Sequence, residues 1–208
     1  GDGFKELFKN LGADKIINGG QTMNPSTEDI LLAVENINAK NIFILPNNKN
    51  IILAAEQAKK LSNKNVVVLP TKTIPEGVSA MINFVNTMSL DENIEVMSES
   101  FAELITGQVT YAVRNTSLDG YEISEGDILC MKGGKINNVS KDVMSGTKEL
   151  LMGIINENSV LVSIYFGQES EEATASDLAG YIIEQYPNCE VEVYSGGQPL
   201  YYYLISVE

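Results

Sequence analysis

The chain has 208 residues, of which 44% are hydrophobic and 20% are charged, proportions that are ordinary for a packed globular protein. It contains no histidine, which excludes Ser-His-Asp and Cys-His catalysis, zinc sites of the Cys-His type and any imidazole general base. The net charge of −14 argues against a nucleic-acid partner, because nucleic-acid phosphates would be repelled.

A short amphipathic helix is predicted over residues 3–11, and strand, polar loop and helix then recur three times. The strands are predicted at KIIN (15–18), NIFIL (41–45) and VVVL (66–69). The helices that follow them are predicted at 28–38, 51–61 and 78–85, the first with Ser26 or Thr27 as its N-cap. Short apolar strands separated by helices predict a small, parallel, doubly wound sheet.

The second part of the chain has a different order of elements. Helices are predicted near 92–104 and over 142–155 and 171–186, and strands at 108–116, 128–133, 135–140, 159–166, 190–195 and 200–207. Gly133 and Gly134 mark a tight hairpin between two of these strands. Strands that first pair antiparallel and then alternate with helices predict a mixed sheet packed by helices.

The charge is unevenly divided along the chain. Residues 1–88 hold nine Lys against eight acids, whereas residues 89–208 hold five Lys or Arg against twenty acids. This asymmetry predicts an α/β protein of two lobes, with a parallel lobe at 1–88 and a mixed-sheet lobe at 89–208. The acidic second lobe is compatible with a basic protein partner, although most acidic surfaces only keep a protein in solution.

The two cysteines, Cys130 and Cys189, form no metal-binding spacing, and we expect both to be small buried residues. No signal peptide opens the sequence, and no run approaches the ~18 apolar residues of a membrane span. We therefore expect a cytoplasmic protein without a transmembrane segment. The first residue is Gly1 rather than Met, which we expect of a piece of a longer or processed protein.

Three polar loops follow the predicted strands of the first lobe, namely GGQTMNPS (19–26), PNNKN (46–50) and PTKTIP (70–75). In an open parallel sheet, ligands bind outside the carboxyl ends of the strands, where helix N-termini favour anions. The candidate binding residues in these loops are Gly19, Gly20, Gln21, Thr22, Asn24, Ser26, Asn47, Asn48, Lys49 and Lys72. The same residue types also build turns and caps without any ligand, so both interpretations stay open.

A second GGQ stands before the last predicted strand, in SGGQPLYYY (195–203), and adds Gly196, Gly197 and Gln198 to the candidates. Neither the GxGxxG nor the GxxxxGK[ST] phosphate loop occurs, and no DxDxDG-like calcium loop is present. We therefore predict no catalytic residue, no metal site and no cofactor in this chain.

The phrases GGQTMNPSTEDIL, FILPNNKNI, VVVLPTKTIPEG and GGQPLYYYLISVE together resemble the C-terminal region of the fatty acid kinase A subunit. This group contains DAK2- or DhaL-domain proteins related to dihydroxyacetone kinase, and the resemblance covers essentially the whole chain. It implies the fold of DegV proteins and of the dihydroxyacetone kinase K subunit, with two α/β lobes around a cleft. It also implies that a separate DhaL-like domain binds ATP and magnesium, and that a DegV-type subunit presents a fatty acid for conversion to acyl phosphate.

The resemblance extends in part to the loops through which DegV proteins hold a fatty-acid head group. Thr22, Pro25 and Ser26 match the TSQPS loop of that family, whereas Met23 and Asn24 do not. PNNKN replaces a serine-rich loop, and SGGQPLY replaces a GTHTGPG-like segment. The resemblance implies that Gln21 and Gln198 face each other across the cleft.

Three functions follow as hypotheses. The leading one is a module that docks the DegV-type fatty-acid-binding subunit without catalysing a reaction itself. The alternative is an interlobe site for a lipid, an acyl phosphate or another anion. A third is a structural role that supports a homodimer.

Overall fold

The computed structural model describes residues 1–19 and 24–208, which contain helices and strands in the order expected of an α/β protein. The helices are α1 (Asp2–Asn10), α2 (Thr27–Glu35), α3 (Ile52–Leu61), α4 (Ile74–Ile82), α5 (Leu90–Ala102), α6 (Val143–Ile154) and α7 (Glu172–Gln185). The strands are β1 (Asn41–Ile44), β2 (Asn65–Val68), β3 (Ile105–Tyr111), β4 (Thr116–Leu118), β5 (Tyr121–Ile123), β6 (Ile128–Lys132), β7 (Lys135–Ser140), β8 (Leu161–Phe166), β9 (Glu190–Ser195) and β10 (Tyr201–Val207). Within the described residues, no helix is both long and apolar enough to cross a membrane.

The chain divides into two compact units. The first unit is Leu7–Glu103, and the second is Gly1–Glu6 together with Leu104–Glu208. The predicted boundary between residues 88 and 89 therefore differs from the observed one by the whole of α5, which belongs to the first unit. The physical reason is packing, because α5 lies against α4 and contributes the buried side chain of Met97 to the first unit.

The first unit is built on two parallel strands, β1 and β2, which pair in register from Asn41 with Asn65 to Ile44 with Val68. Their apolar side chains pack against α2 and α3 in a small core formed by Ile30, Val34, Ile42, Ile51, Ala55, Ala58, Val66 and Val68. The prediction of a third strand at residues 15–18 is wrong, since that segment has no regular structure. It supplies only two apolar side chains, and among the described residues β1 and β2 pair only with each other.

The second unit contains a six-stranded mixed sheet in the order β7-β6-β3-β10-β8-β9. All neighbouring strands are antiparallel except β8 and β9, which are parallel and flank α7 in the chain. The buried core of this unit includes Val109, Leu150, Ile164, Leu178 and Ile205, which come from β3, α6, β8, α7 and β10. The predicted mixed sheet packed by helices is thus confirmed.

Local sequence signals account for several element ends. Gly133 and Gly134 form the turn between β6 and β7 with positive φ angles of 56° and 82°, as the hairpin prediction required. Ser26 is the N-cap of α2, and Thr73 caps α4 with Pro75 in its first turn. Each of these ends is determined by residues within four positions of it.

Both cysteines are buried and free, which agrees with the sequence prediction. Burial raises the pKa of Cys130 to about 12, and burial also raises the pKa of Cys189. We expect both thiols of the native protein to resist Ellman's reagent at pH 8, because for Cys130 only about one thiol in ten thousand is then ionised. Both should react within minutes in strong denaturant. Rapid native labelling of either cysteine would contradict this burial.

Candidate functional site

The start of α2 uses the hydroxyl group of Ser26 as a helix cap. The Asp29 N–H donates to Ser26 Oγ at 3.1 Å, while the Ser26 N–H and hydroxyl donate to Asp29 Oδ2 at 2.9 and 2.7 Å. The side-chain hydrogen bond from Ser26, supported by the backbone one, lowers the pKa of Asp29 below its ordinary value. The capping interpretation therefore accounts for Ser26 without a ligand.

An open hollow of about 530 Å³ lies beside this helix start, in the first unit. It is lined by Lys15, Ile16, Ile17, Asn18, Asn24, Pro25, Asp29, Leu32, Ala33 and Asn36. Of the predicted binding residues, Asn24 lines this hollow, and Gly19 is exposed at the end of the preceding described segment. Gly20, Gln21 and Thr22 lie outside the described residues, so their expected roles stay predictions.

The loop that follows β1 is joined to the loop that follows β2 by Asn47 and Thr71. The Asn47 N–H donates to Thr71 Oγ1 at 3.0 Å, and the Thr71 hydroxyl donates to Asn47 Oδ1 at 2.8 Å. Asn47 has a positive φ of 55°, and its amide lies where a side chain on Gly77 would otherwise be, since a Cβ there would come within 2.0 Å of Asn47 Oδ1. The structure thus brings these two predicted loops together and uses Asn47 to do so.

The other candidates at this edge have different environments. Asn48 Oδ1 accepts the Asn50 N–H at 2.9 Å, a local turn that needs no ligand. Lys49 is exposed, and Lys72 is exposed while its N–H donates to Glu76 Oε2 at 2.6 Å. The two lysine side chains are therefore the cationic groups that this edge presents among the predicted residues.

Gln198, which was expected to line a cleft, is a buried structural residue of the second unit. It is only 4% exposed, and its Nε2 donates to the main-chain oxygen of Tyr165 at 2.9 Å. Its Oε1 is buried without a hydrogen-bond partner in the described part of the chain. This oxygen lies against Gly196, where an added Cβ would be only 2.0 Å away.

The glycines of the second GGQ allow main-chain segments to approach closely. Gly196 and Gly197 both donate their N–H groups to the oxygen of Phe166, and the Phe4 N–H donates to Gly196 O at 3.2 Å. A Cβ on Gly3 would come within 1.9 Å of Ser195 O, so the first turn of α1 packs directly on this loop. Gly197 also has a positive φ of 59°. Packing therefore explains why this loop is rich in glycine.

Two structural residues of these loops were not singled out from the sequence. Thr71 is fully buried and holds Asn47, and Gly77 provides the space for the Asn47 amide. The only sequence signal was their place in or just after PTKTIP, which does not distinguish a buried threonine from an exposed one. Their partners lie 24 or more positions away along the chain, beyond the reach of local patterns.

Comparison with known proteins decides the family. All of residues 1–208 match the family of C-terminal regions that are like that of the fatty acid kinase A subunit. The chain belongs to this family. The resemblance inferred from the loop phrases is thereby confirmed. An uncharacterized protein of Staphylococcus aureus is 44% identical over 208 residues, which are 100% of this chain and 38% of that protein.

Solved structures place this member of the fatty acid kinase family in the DegV fold. The DegV family protein Cg2579 of Corynebacterium glutamicum superposes with a TM-score of 0.70 at 13% identity, covering 98% of this chain and 92% of that one. The fatty acid kinase B3 protein of Streptococcus pneumoniae, solved loaded with linoleic acid, has a TM-score of 0.61 at 13% identity, with coverage of 88% and 76%. At such low identity these likenesses confirm the predicted fold alone.

The Asn47–Thr71 pair can be tested by the isosteric change Thr71→Val. It removes both hydrogen bonds and leaves the Asn47 N–H and Oδ1 unpaired, so we expect the free energy of unfolding to fall by about 1–3 kcal/mol. Urea denaturation followed by circular dichroism measures this loss. The control is Thr116→Val on the exposed strand β4, which should change stability by less than about 0.5 kcal/mol. Equal stability of the two variants would show that the pair does not hold the loops.

The buried position of Gln198 predicts that Gln198→Ala lowers stability. The main-chain oxygen of Tyr165 loses its donor, and we expect a loss of about 1–3 kcal/mol in the same denaturation experiment. Gln168→Ala, at an exposed position in the same unit, is the matched control. A Gln198→Ala protein of unchanged stability would restore this side chain as a candidate binding residue.

Proposed function

We propose that this chain is the cytoplasmic docking module of a fatty acid kinase. In this proposal it binds a DegV-type fatty-acid-binding subunit, while a separate DhaL-like domain of the longer protein uses ATP and magnesium to convert the bound fatty acid to acyl phosphate. The observation that carries the proposal is the match of the entire chain to the C-terminal family of the fatty acid kinase A subunit. The chain spans only 38% of the length of the curated relatives it matches, so the remaining length leaves room for such a domain.

The internal hydrogen bonds of the loops support docking over ligand binding. Ser26, Asn47 and Asn48 use polar side-chain atoms to cap a helix, join two loops and close a turn. Gln198 uses its amide N–H inside the second unit. Polar groups that already have partners within the chain gain less from a ligand, because binding would have to replace those bonds. A DegV-like fold with such loops is suited to recognise a partner through its surface.

The partner in this proposal is a protein of the same fold. The B3 protein, which is named as part of a fatty acid kinase and carries linoleic acid, shares the DegV fold with this chain. The chain lacks histidine, so a mechanism that needs an imidazole group cannot run on its own side chains. We therefore assign the fatty acid to the DegV-type partner and the phosphoryl transfer to the DhaL-like domain.

Calorimetric titration of the full-length protein with the DegV-type subunit of the same organism, loaded with a fatty acid, tests docking. We expect a one-to-one complex with a dissociation constant in the micromolar range or tighter in moderate salt, because the acyl group must be held during transfer. Native mass spectrometry of the unbound protein is the companion measurement. Absence of association at high micromolar concentrations, or a fatty acid carried by this chain itself, would overturn the docking function and favour a small-molecule site.

A further inference from the structure

The connection between α4 and α5 presents apolar side chains to solvent. We define the apolar loop as residues 82–88, INFVNTM, which contain no charged side chain. Its exposed apolar residues are Ile82 (63% exposed), Phe84 (40%), Val85 (36%) and Met88 (41%). Four exposed apolar side chains within seven consecutive residues differ from the scattered exposed residues that any surface carries.

A buried asparagine holds the apolar loop in place. Asn93 is only 2% exposed, and its Oδ1 accepts the Val85 N–H at 2.9 Å. Its Nδ2 donates to the main-chain oxygens of Val85 at 2.9 Å, Met88 at 3.3 Å and Ser89 at 3.1 Å. Every one of these hydrogen bonds from the buried amide therefore goes to the main chain of the loop or its last junction.

Two further contacts anchor the ends of the loop. The Asn83 Nδ2 donates to Ser79 O at 3.0 Å at the end of α4, and Ser89 and Glu92 form a capping box at the start of α5. Phe84 also packs edge-on against Phe43, with 6.0 Å between the ring centres. The chain entropy of the loop is thus lost on folding, so a partner that covers these side chains has less ordering to oppose it.

The charges around the apolar loop have one sign. From residue 73 to residue 103 the sequence holds six acids, Glu76, Asp91, Glu92, Glu95, Glu99 and Glu103, and no Lys or Arg. Asp91, Glu95 and Glu99 recur every fourth residue along α5, which places them on one side of the helix, and all three are exposed. We call these three residues the acidic stripe, and it follows directly from the apolar loop.

The sign of these charges identifies the kind of occupant. An anionic membrane surface or a nucleic acid would be repelled by the acidic stripe, whereas a protein surface bearing Lys and Arg would be attracted. Fixed apolar anchors bordered by charge are also the usual arrangement of a protein interface, with the apolar part excluding water.

We propose that the apolar loop and the acidic stripe of α5 form the docking surface for a protein that has an apolar hollow bordered by Lys and Arg side chains. The inference rests on the proposed function, which makes the DegV-type subunit that protein. The apolar side chains supply most of the affinity, and the acidic stripe supplies orientation and a faster association.

The test uses two double variants of the full-length protein in the titration with the fatty-acid-loaded DegV-type subunit. Ile82→Ser with Met88→Ser removes apolar anchors and should raise the dissociation constant about tenfold or more. Glu95→Gln with Glu99→Gln should weaken binding several-fold at low salt and lose that effect near 1 M salt, because exposed charges are then screened.

Matched controls come from the exposed face of α7 in the second unit. Ile183→Ser removes a side chain that is 51% exposed, and Glu172→Gln with Glu184→Gln removes two exposed charges. Both controls should bind as the unaltered protein does. Urea denaturation of every variant verifies that the loop changes leave the fold intact.

The outcomes separate the two proposals. Failure of the unaltered protein to bind overturns the docking function itself. Binding that is unaffected by the loop and stripe variants, or equally weakened by the α7 controls, leaves docking in place and overturns this surface. A change of oligomeric state in the Ile82→Ser, Met88→Ser protein, measured by light scattering, would assign the apolar loop to contacts between copies of this chain instead.

Discussion

Three buried polar side chains, Thr71, Asn93 and Gln198, each bind the main chain or side chain of a distant loop. Burying an amide or hydroxyl group is unfavourable unless it finds hydrogen-bond partners, so each group fixes its loop in the one conformation that supplies them. Thr71 joins the two loops after β1 and β2, Asn93 holds the connection from α4 to α5, and Gln198 holds the turn before β10. The shape of the surface around these loops depends on these bonds.

This use of polar residues argues against a simple ligand-binding interpretation of the sequence. Loops rich in Asn, Ser, Thr and Gly at the ends of strands look like anion sites, yet here much of their hydrogen-bonding capacity is used within the protein. The GGQ turn is a clear case, because Gly196 and Gly197 let the first turn of α1 approach the main chain, and the Gln198 amide points inward. A member of this fatty acid kinase family with such loops offers rigid surfaces to a partner.

Charge gives that surface a direction. The strongly acidic composition belongs to both units, since α5, which packs on α4, lies in the first unit. Acidic side chains beside fixed apolar groups favour a basic protein partner and disfavour phosphate-rich surfaces, and their long-range effect acts on the rate of encounter more than on final affinity. Apolar burial and electrostatic attraction thus have separate roles in the proposed docking.

The sequence alone determined the features that depend on near neighbours and on composition. Apolar periodicity located most strands and helices, Ser26 identified the start of α2, and Gly133-Gly134 identified a hairpin, because caps and tight turns are set within about four residues. The loop phrases also identified the family, and with it the fold. Only the tertiary structure decided that residues 15–18 form no strand, that α5 belongs with α4, and that Gln198 and Asn93 are buried. Those outcomes depend on partners far away in the chain, since a strand exists only where a neighbour pairs with it, and an amide is buried only where packing brings acceptors to it.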